Sequence, residues 1–359
     1  MISNNMVIDA FPGFNEIELA AFRINYLSES VDLVVIAEAK LTHSGIEKPL
    51  YFKNWIRDQS ADLKSRVVVI EVPLVNLKSS WEREIFTREY LRDFLLREYP
   101  DSKIILSDLD EIPSIEQVNN FRNKSGIFHF HTPTFVRNIN WQLKDQHKDW
   151  ARGVMCEVRL NIHPNGGRFV KDFPRIEGAP GAHFSWLQIN QGLMGNKLQA
   201  TAHTELNQNF RTSESLIHYC NFYRIDHLGR SRVKGFGLFR IVYPLPNGIL
   251  TEISRFFPEL VDSDIGTPNL ARRLLATCKL SAFVGDTDFS RKIRSRFEAE
   301  YYFSHRTKLI SLIIFAEFLA LILGVIKRLV KRCTKLPLHL IWVRRFFEKL
   351  MHERSKVIN

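Results

Sequence analysis

Four short apolar runs set at intervals constrain this chain more than any other feature. "MVIDAF" (6–11), "VDLVVIAEA" (31–39), "RVVVIEVPL" (66–74) and "KIILSD" (103–108) are nearly continuous in apolar residues, the pattern of strands buried on both faces. Between them, "EIELAAFRINYL" (16–27) places its apolar residues at helical spacing. "SWEREIFTREYLRDFLLREY" (80–99) reads as a long amphipathic helix opened by a serine cap. Strand, helix, strand, repeated, predicts an α/β fold with a mostly parallel central sheet covered by helices. Ligands of such sheets collect at the carboxyl ends of the strands, where loops and helix N-termini converge.

At one of those ends the sequence runs "KIILSDLDEIP", with Asp108, Asp110 and Glu111 inside four residues and Pro113 behind them. If extended geometry continues through Leu109, Asp108 and Asp110 point the same way. Two carboxylates on one side repel unless a cation or proton neutralises them. A divalent metal (Mn²⁺ or Mg²⁺) holding a diphosphate is one explanation, because hard cations take carboxylate and phosphate oxygens together. The other is that the acids cap a following turn or helix, with Pro113 as its first residue.

The stretch "DAFPGFNEIELAAFRINYLSESVDLVVIAEAKLTHSGIEKPLYF", followed in order by "WEREIFTRE", "IILSDLDEIP", "GAHFSWL" and "ATAHTE", resembles the family 17 glycosyltransferases. The resemblance covers residues 6 to 260. It implies a GT-A type nucleotide-sugar-binding fold, a UDP-sugar donor and inversion at the anomeric carbon. Because the family includes enzymes that transfer β-1,4-linked N-acetylglucosamine, it also implies UDP-GlcNAc as donor and a glycan or glycolipid as acceptor. The acidic triplet then looks like the DxD-type site, with Asp108 and Asp110 on the metal and diphosphate.

In a fold of that kind the first two strand ends flank the base and ribose, which makes Asn15, Glu16 and Glu38 donor-binding expectations. Asn15 could equally be a helix N-cap. The loop "LTHSG" (41–45) is suited to bring backbone N–H groups and His43 to a ligand, or is an ordinary surface turn. Arg83 and Arg88 lie five residues apart, about 140° around a helix axis, and the resemblance favours Arg83. Trp81, Ile85 and Phe86 read as core residues. His203 is the expected third metal ligand and Glu205 the expected general base, with Asp110 counted among the catalytic residues and Glu157 and Asp172 as competing acids. His129 and His131 share a face if "FHFHT" (128–132) is a strand, though no third ligand stands at a characteristic spacing. "NGGR" (165–168) signals a hairpin rather than a phosphate loop. Trp141 and Trp150 are either acceptor-stacking or packing residues.

The net charge of +11 is not spread evenly. From His305 onward there are twelve Lys and Arg against Glu317, Glu348 and Glu353. A basic tail wrapped around apolar runs points to an anionic membrane surface, not to nucleic acid. "LISLIIFAEFLALILGVI" (309–326) would span about 27 Å as a helix, marginal for a bilayer core. Glu317 sits near its centre and basic residues flank both ends, so monotopic attachment is expected, with a single span or soluble packing as alternatives. "LPLHLIWVRRFFEKL" (336–350) reads as a second surface segment. The expected organisation is a catalytic domain over 1–260, a helical extension over 261–304 and a membrane-associated helical tail over 305–359.

Cys156, Cys220, Cys278 and Cys333 lack CxxC spacing, which argues against a zinc knuckle or a disulfide framework and for a reducing compartment. "MISNNMVIDAFPGF" lacks the basic and apolar regions of a secretory signal. The expected location is therefore the cytoplasmic face of a membrane. The competing function class is a catalytically silent sugar-nucleotide or glycan-binding protein tethered by its tail.

Overall fold

Alternation along the apolar runs decides the layers of the protein. In the computed structural model, which describes residues 6–74, 77–143, 153–163, 173–187, 221–222, 224 and 239–262, β1 (Val7–Pro12) and β2 (Leu33–Ala39) pair in parallel. Val7, Phe11, Val34 and Ile36 enter one apolar cluster. Ile8, Ala10, Val35 and Ala37 enter another on the opposite face. Both faces are covered, which is why these strands read as continuous apolar runs.

The first cluster packs α1 (Ile17–Tyr26) through Leu19, Ala20, Phe22 and Ile24, and the second packs α4 (Ser80–Glu98) through Leu91 and Leu95. Two short helices, α2 (Tyr51–Arg57) and α3 (Ala61–Arg66), lead into β3 (Val67–Val72). β4 (Lys103–Leu106) then pairs with β1, so that four parallel strands stand in the order β3-β2-β1-β4. β9 (Val154–Glu157) pairs antiparallel with β4, and β6 (Ile127–His129) closes the six-stranded sheet beyond it.

A second sheet, which the sequence pattern did not announce, has five strands. They are β5 (Glu111–Ile112), β7 (Thr134–Val136), β8 (Trp141–Leu143), β10 (Ala182–Ser185) and β11 (Phe239–Ile241), in the order β11-β8-β7-β10-β5. Helices α5 (Ile115–Arg122) and α6 (Ile249–Phe256) contribute Val118, Phe121, Ile249 and Ile253 to the first cluster. The chain is thus mixed α/β, with a sheet that is parallel at its centre. It divides into two compact units, Met1–Phe222 with Asp226–Leu228 and Gly237–Gly266, and the remainder. Every element named here belongs to the first.

Among the described residues no helix is long and apolar enough to cross a membrane. The tail expectations over 305–359, the extension from residue 263 on, and the hairpin expectation at 165–168 lie outside the described residues.

Candidate active site

β1, β2, β3 and β4 run parallel, so their carboxyl ends share one edge, and the acidic triplet stands at that edge directly after β4. The chain does not stay extended there. Glu111 N–H donates to the Asp108 carbonyl at 3.0 Å, closing a turn over Asp108–Glu111. Alternation through Leu109 therefore does not set the directions of the two carboxylates, and each meets its own partner. Asp108 Oδ1 accepts from Arg88 Nη2 at 2.5 Å, and Arg88 Nη1 reaches Glu84 at 2.7 Å. Asp110 Oδ1 lies 3.6 Å from His183 Nε2.

Nor do the acids cap the next helix. Glu111 is buried in β5, and its Oε2 accepts from Asp108 N–H at 3.2 Å. The N-cap of α5 is Ser114, in a reciprocal capping box with Gln117. The sequence carried that signal as Ser-x-x-Gln, one residue past the proline.

Of the two late histidines in "GAHFSWL" and "ATAHTE", the sequence favours His203 as the metal ligand, but His183 is the one that stands at the acidic turn. It arrives on β10, which pairs antiparallel with β5 in the register His183 opposite Glu111, while Phe184 N–H donates to the Asp110 carbonyl at 2.8 Å. Its second ring nitrogen, Nδ1, is 3.1 Å from Thr134 Oγ1 on β7. One imidazole nitrogen is thus oriented by a hydroxyl and the other faces a carboxylate.

The loop between β2 and α2 carries His43. Its Nδ1 is buried and has no hydrogen-bond partner among the described residues. Burial pushes the imidazole down to about 4, against the upward pull of Glu84 and Asp108 and with the help of Arg88 and Arg83. His43 is a neutral imidazole at neutral pH. Arg83 is occupied in holding this loop, donating Nε to the His43 carbonyl at 2.6 Å and Nη1 to the Leu77 carbonyl at 2.8 Å. Of the two helix arginines, Arg88 is the one that meets the acidic turn.

Glu38, also on this edge, is fully buried and anchors local structure. Its Oε1 accepts from Phe52 N–H at 3.1 Å and its Oε2 from Lys53 N–H at 3.0 Å. These are the first-turn amides of α2, whose own N-cap, Leu50, offers no side-chain bond. Lys48 adds a third contact to Glu38 at 3.4 Å and lies over the rings of Phe14 (5.8 Å) and Tyr51 (5.4 Å). Burial holds the Lys48 ammonium below its ordinary pKa, against the pull of Glu38. Asn15 and Glu16 follow β1 on the same edge and are partly exposed. The N-cap of α1 is Glu16, not Asn15, and its side chain makes no capping bond.

Glu157 stands at the opposite edge, paired in register with Lys103 at the amino end of β4. His129 ends β6 with Nδ1 3.2 Å from the Gly153 carbonyl, and the strand stops before His131, so the two histidines do not share a strand face. Trp141 is buried and donates its indole N–H to Asp262 at 2.8 Å, a packing residue. Trp81 and Ile85 are not core: they are 44% and 38% exposed, because α4 is buried chiefly from Thr87 onward. Trp150, Asp172, His203 and Glu205 lie outside the described residues.

Among the described residues no group of three or more His, Cys, Asp or Glu is placed to hold a metal ion. The sequence reading missed Arg23, which lies beneath the acidic turn. It is fully buried, paired with Asp9, and donates to the Asp108, Leu109 and Glu111 carbonyls at 2.7, 3.0 and 3.1 Å.

A comparison with curated proteins returns no match. The model of the family described as "Glycosyltransferase family 17" matches residues 2–211, a span that takes in β1 through β10 and every residue of this edge. With more than half of its length matched, the chain belongs to glycosyltransferase family 17.

Proposed function

We propose that this glycosyltransferase has a GT-A type fold and is metal-dependent and inverting, moving a sugar, N-acetylglucosamine from UDP-GlcNAc, onto a glycan or lipid-linked saccharide. The observation that carries the reading is the fastened Asp108–Glu111 turn at the carboxyl edge of a parallel sheet, its two aspartates aimed at separate partners.

The residues present fit a divalent cation, Mn²⁺ or Mg²⁺, at Asp110. A carboxylate and an imidazole face each other there, and the far nitrogen of His183 is oriented by Thr134, as the outer nitrogen of a ligating histidine ordinarily is. Asp110 and His183 would hold the ion, with Asp108 beside it and His203 as a further ligand. Such an ion supplies positive charge against a diphosphate leaving group. The protein's part is to place the donor. On this reading Asn15, Glu16, His43 and the Phe14–Tyr51 pair, which follow β1 and β2, would meet base and ribose, and His43 would meet them without a charge. Arg83 keeps the His43 loop in position from behind. In the displacement the acceptor oxygen bonds to the anomeric carbon as the bond to phosphate breaks, and the acceptor proton passes to a carboxylate, assigned to Glu205. The basic tail would hold the enzyme at an anionic membrane surface on the cytoplasmic face.

The test is UDP release from a panel of UDP-sugars with and without Mn²⁺, alongside Mn²⁺-dependent UDP binding. Asp110→Asn is expected to abolish both while keeping its thermal transition. Full activity in that variant sinks the metal assignment. A wild-type chain that binds UDP-sugars but never releases UDP is instead the silent binding protein, a reading that the Arg88–Asp108 ion pair favours by giving Asp108 a cation of its own.

A further inference from the structure

The buried guanidinium of Arg23 has no counterpart in the expectations drawn from sequence, and all of its donors are used. Nε and Nη2 grip Asp9 on β1 at 2.8 and 2.5 Å, and Nη2 also reaches Ser107 Oγ at 2.9 Å. Nη1 is shared among three carbonyls of the acidic turn. Ser107 Oγ in turn lies 3.0 Å from the Glu111 carbonyl and 3.2 Å from that of Asp108. The guanidinium lies 4.6 Å from the Phe11 ring centroid, within the apolar layer between β1 and α1.

A fully buried ion pair is a poor device for stability, since removing both charges from water costs about as much as their attraction returns. What this pair does deliver is geometry. The turn runs through Asp108, Leu109 and Asp110, and three of its carbonyls converge on one planar, rigid donor whose own position is fixed by a two-point grip on the neighbouring strand. A lysine there could keep the charge opposite Asp9 but could not span both the strand and the turn.

We propose that Arg23 is a positioning residue for the donor site: it clamps the Ser107–Glu111 turn to β1, so that Asp108 and Asp110 stand in fixed directions before any donor arrives. The inference rests on the glycosyltransferase reading above, and it assigns to α1 and β1 the job of preorganising the acids.

Two variants of the full chain test it. Arg23→Lys keeps the buried charge. Asp9→Leu combined with Arg23→Met replaces the pair by apolar residues of similar volume, a replacement that commonly preserves folding. Arg122→Met is the control, because it removes an ion pair with Asp32 at the opposite, amino edge of the sheet. Amide hydrogen exchange over 107–112 and the Mn²⁺-dependent affinity for UDP are measured on each. Exchange across 107–112 is expected to rise at least tenfold in both clamp variants, with strand amides 104–106 unchanged. UDP affinity in Mn²⁺ is expected to fall at least tenfold, and Arg122→Met should show neither effect. Turn exchange that stays at the wild-type rate, or UDP affinity that survives intact in both clamp variants, overturns the inference. Failure of the unsubstituted chain to bind UDP at any Mn²⁺ concentration overturns the donor-site reading instead, and the exchange arm still decides whether Arg23 fixes the turn.

Discussion

Replacing Glu38 separates a structural acid from a donor-binding one. Its two oxygens satisfy the Phe52 and Lys53 amides at 3.1 and 3.0 Å, and it neutralises a buried Lys48. Glu38→Gln keeps one accepting oxygen but turns an NH₂ group toward the other amide and removes the charge from the start of α2. A hydrogen bond to a charged group contributes about 1.5–3 kcal/mol and a carboxylate at a helix N-terminus up to about 2, so a loss of about 2–3 kcal/mol is expected. Glu38→Ala leaves two amides and an ammonium without their carboxylate, and breaking a buried pair from one side costs about 3–5 kcal/mol. For a domain of roughly 200 residues each kcal/mol lowers Tm by about 2–4 °C, which makes the alanine variant's drop about 6–20 °C. The deficit should also depend on pH. Lys48 already sits below its ordinary pKa through burial, with Glu38 pulling it up. Without Glu38 it falls further, the folded state excludes the proton that the unfolded chain still binds, and stability recovers as pH rises through that window. The assay is thermal unfolding of wild type and both variants across alkaline pH, with UDP binding measured well below Tm. A Glu38→Gln variant that melts with the wild type but loses UDP affinity would refute the capping argument and make Glu38 a donor contact.

Other consequences follow from single contacts. His43 is held at about 4 by burial, so below its ordinary value of 6.5 the unfolded chain gains a proton that the folded one refuses. At about 1.4 kcal/mol per tenfold in proton affinity, stability should fall by about 3 kcal/mol at most between pH 6.5 and 4. His43→Gln should flatten that slope in Tm measured against pH, and an unchanged slope refutes the assignment. Thr134→Val removes the hydroxyl that orients His183, and loss of such an outer contact typically weakens metal affinity about 10–100-fold. Mn²⁺ titration should show that loss with little change in Tm. In Gly181→Ala the new Cβ would meet the Ile112 carbonyl at 2.1 Å and Pro113 Cα at 2.8 Å. Backbone cannot yield as a side chain can, so the urea midpoint should fall by the equivalent of about 1–3 kcal/mol or more, and UDP binding should weaken as the β5–β10 pairing shifts.

The parallel core was legible because each of its strands is covered on both faces. Val7 to Phe11 and Val34 to Ala37 supply apolar residues to two clusters at once, and that requirement writes a continuous run into the sequence. The short strands of the second sheet, two to four residues each, leave no period to read. The place of the acidic turn was legible, but its geometry was not. Arg23 stands fourteen residues from Asp9 and more than eighty from the turn it clamps, so nothing local distinguishes it from the other polar residues of an amphipathic helix. Glu38 was legible only as an acid at a strand end, and a buried acid needs a partner. The partners proved to be backbone amides of α2, a helix too short to leave a periodic trace.

The negative charge in and around the acidic turn is balanced residue by residue. Asp9 has Arg23, Asp108 has Arg88 and Glu38 has Lys48, each a buried or nearly buried cation within 3.4 Å. Each of these pairs also fastens one piece of chain to another: β1 to the turn, α4 to the turn, and β2 to the loop before α2. Asp110 Oδ1 faces the His183 imidazole at 3.6 Å, across the β5–β10 pairing. On the proposed reading, Asp110 is the carboxylate that meets the bound cation. Asp108 belongs equally to the scaffold, because it ties α4 to the turn. Asp108→Asn should consequently cost both stability and donor affinity, whereas Asp110→Asn should cost donor affinity alone. If both substitutions lower the thermal transition by the same amount, the division of labour between the two aspartates is wrong.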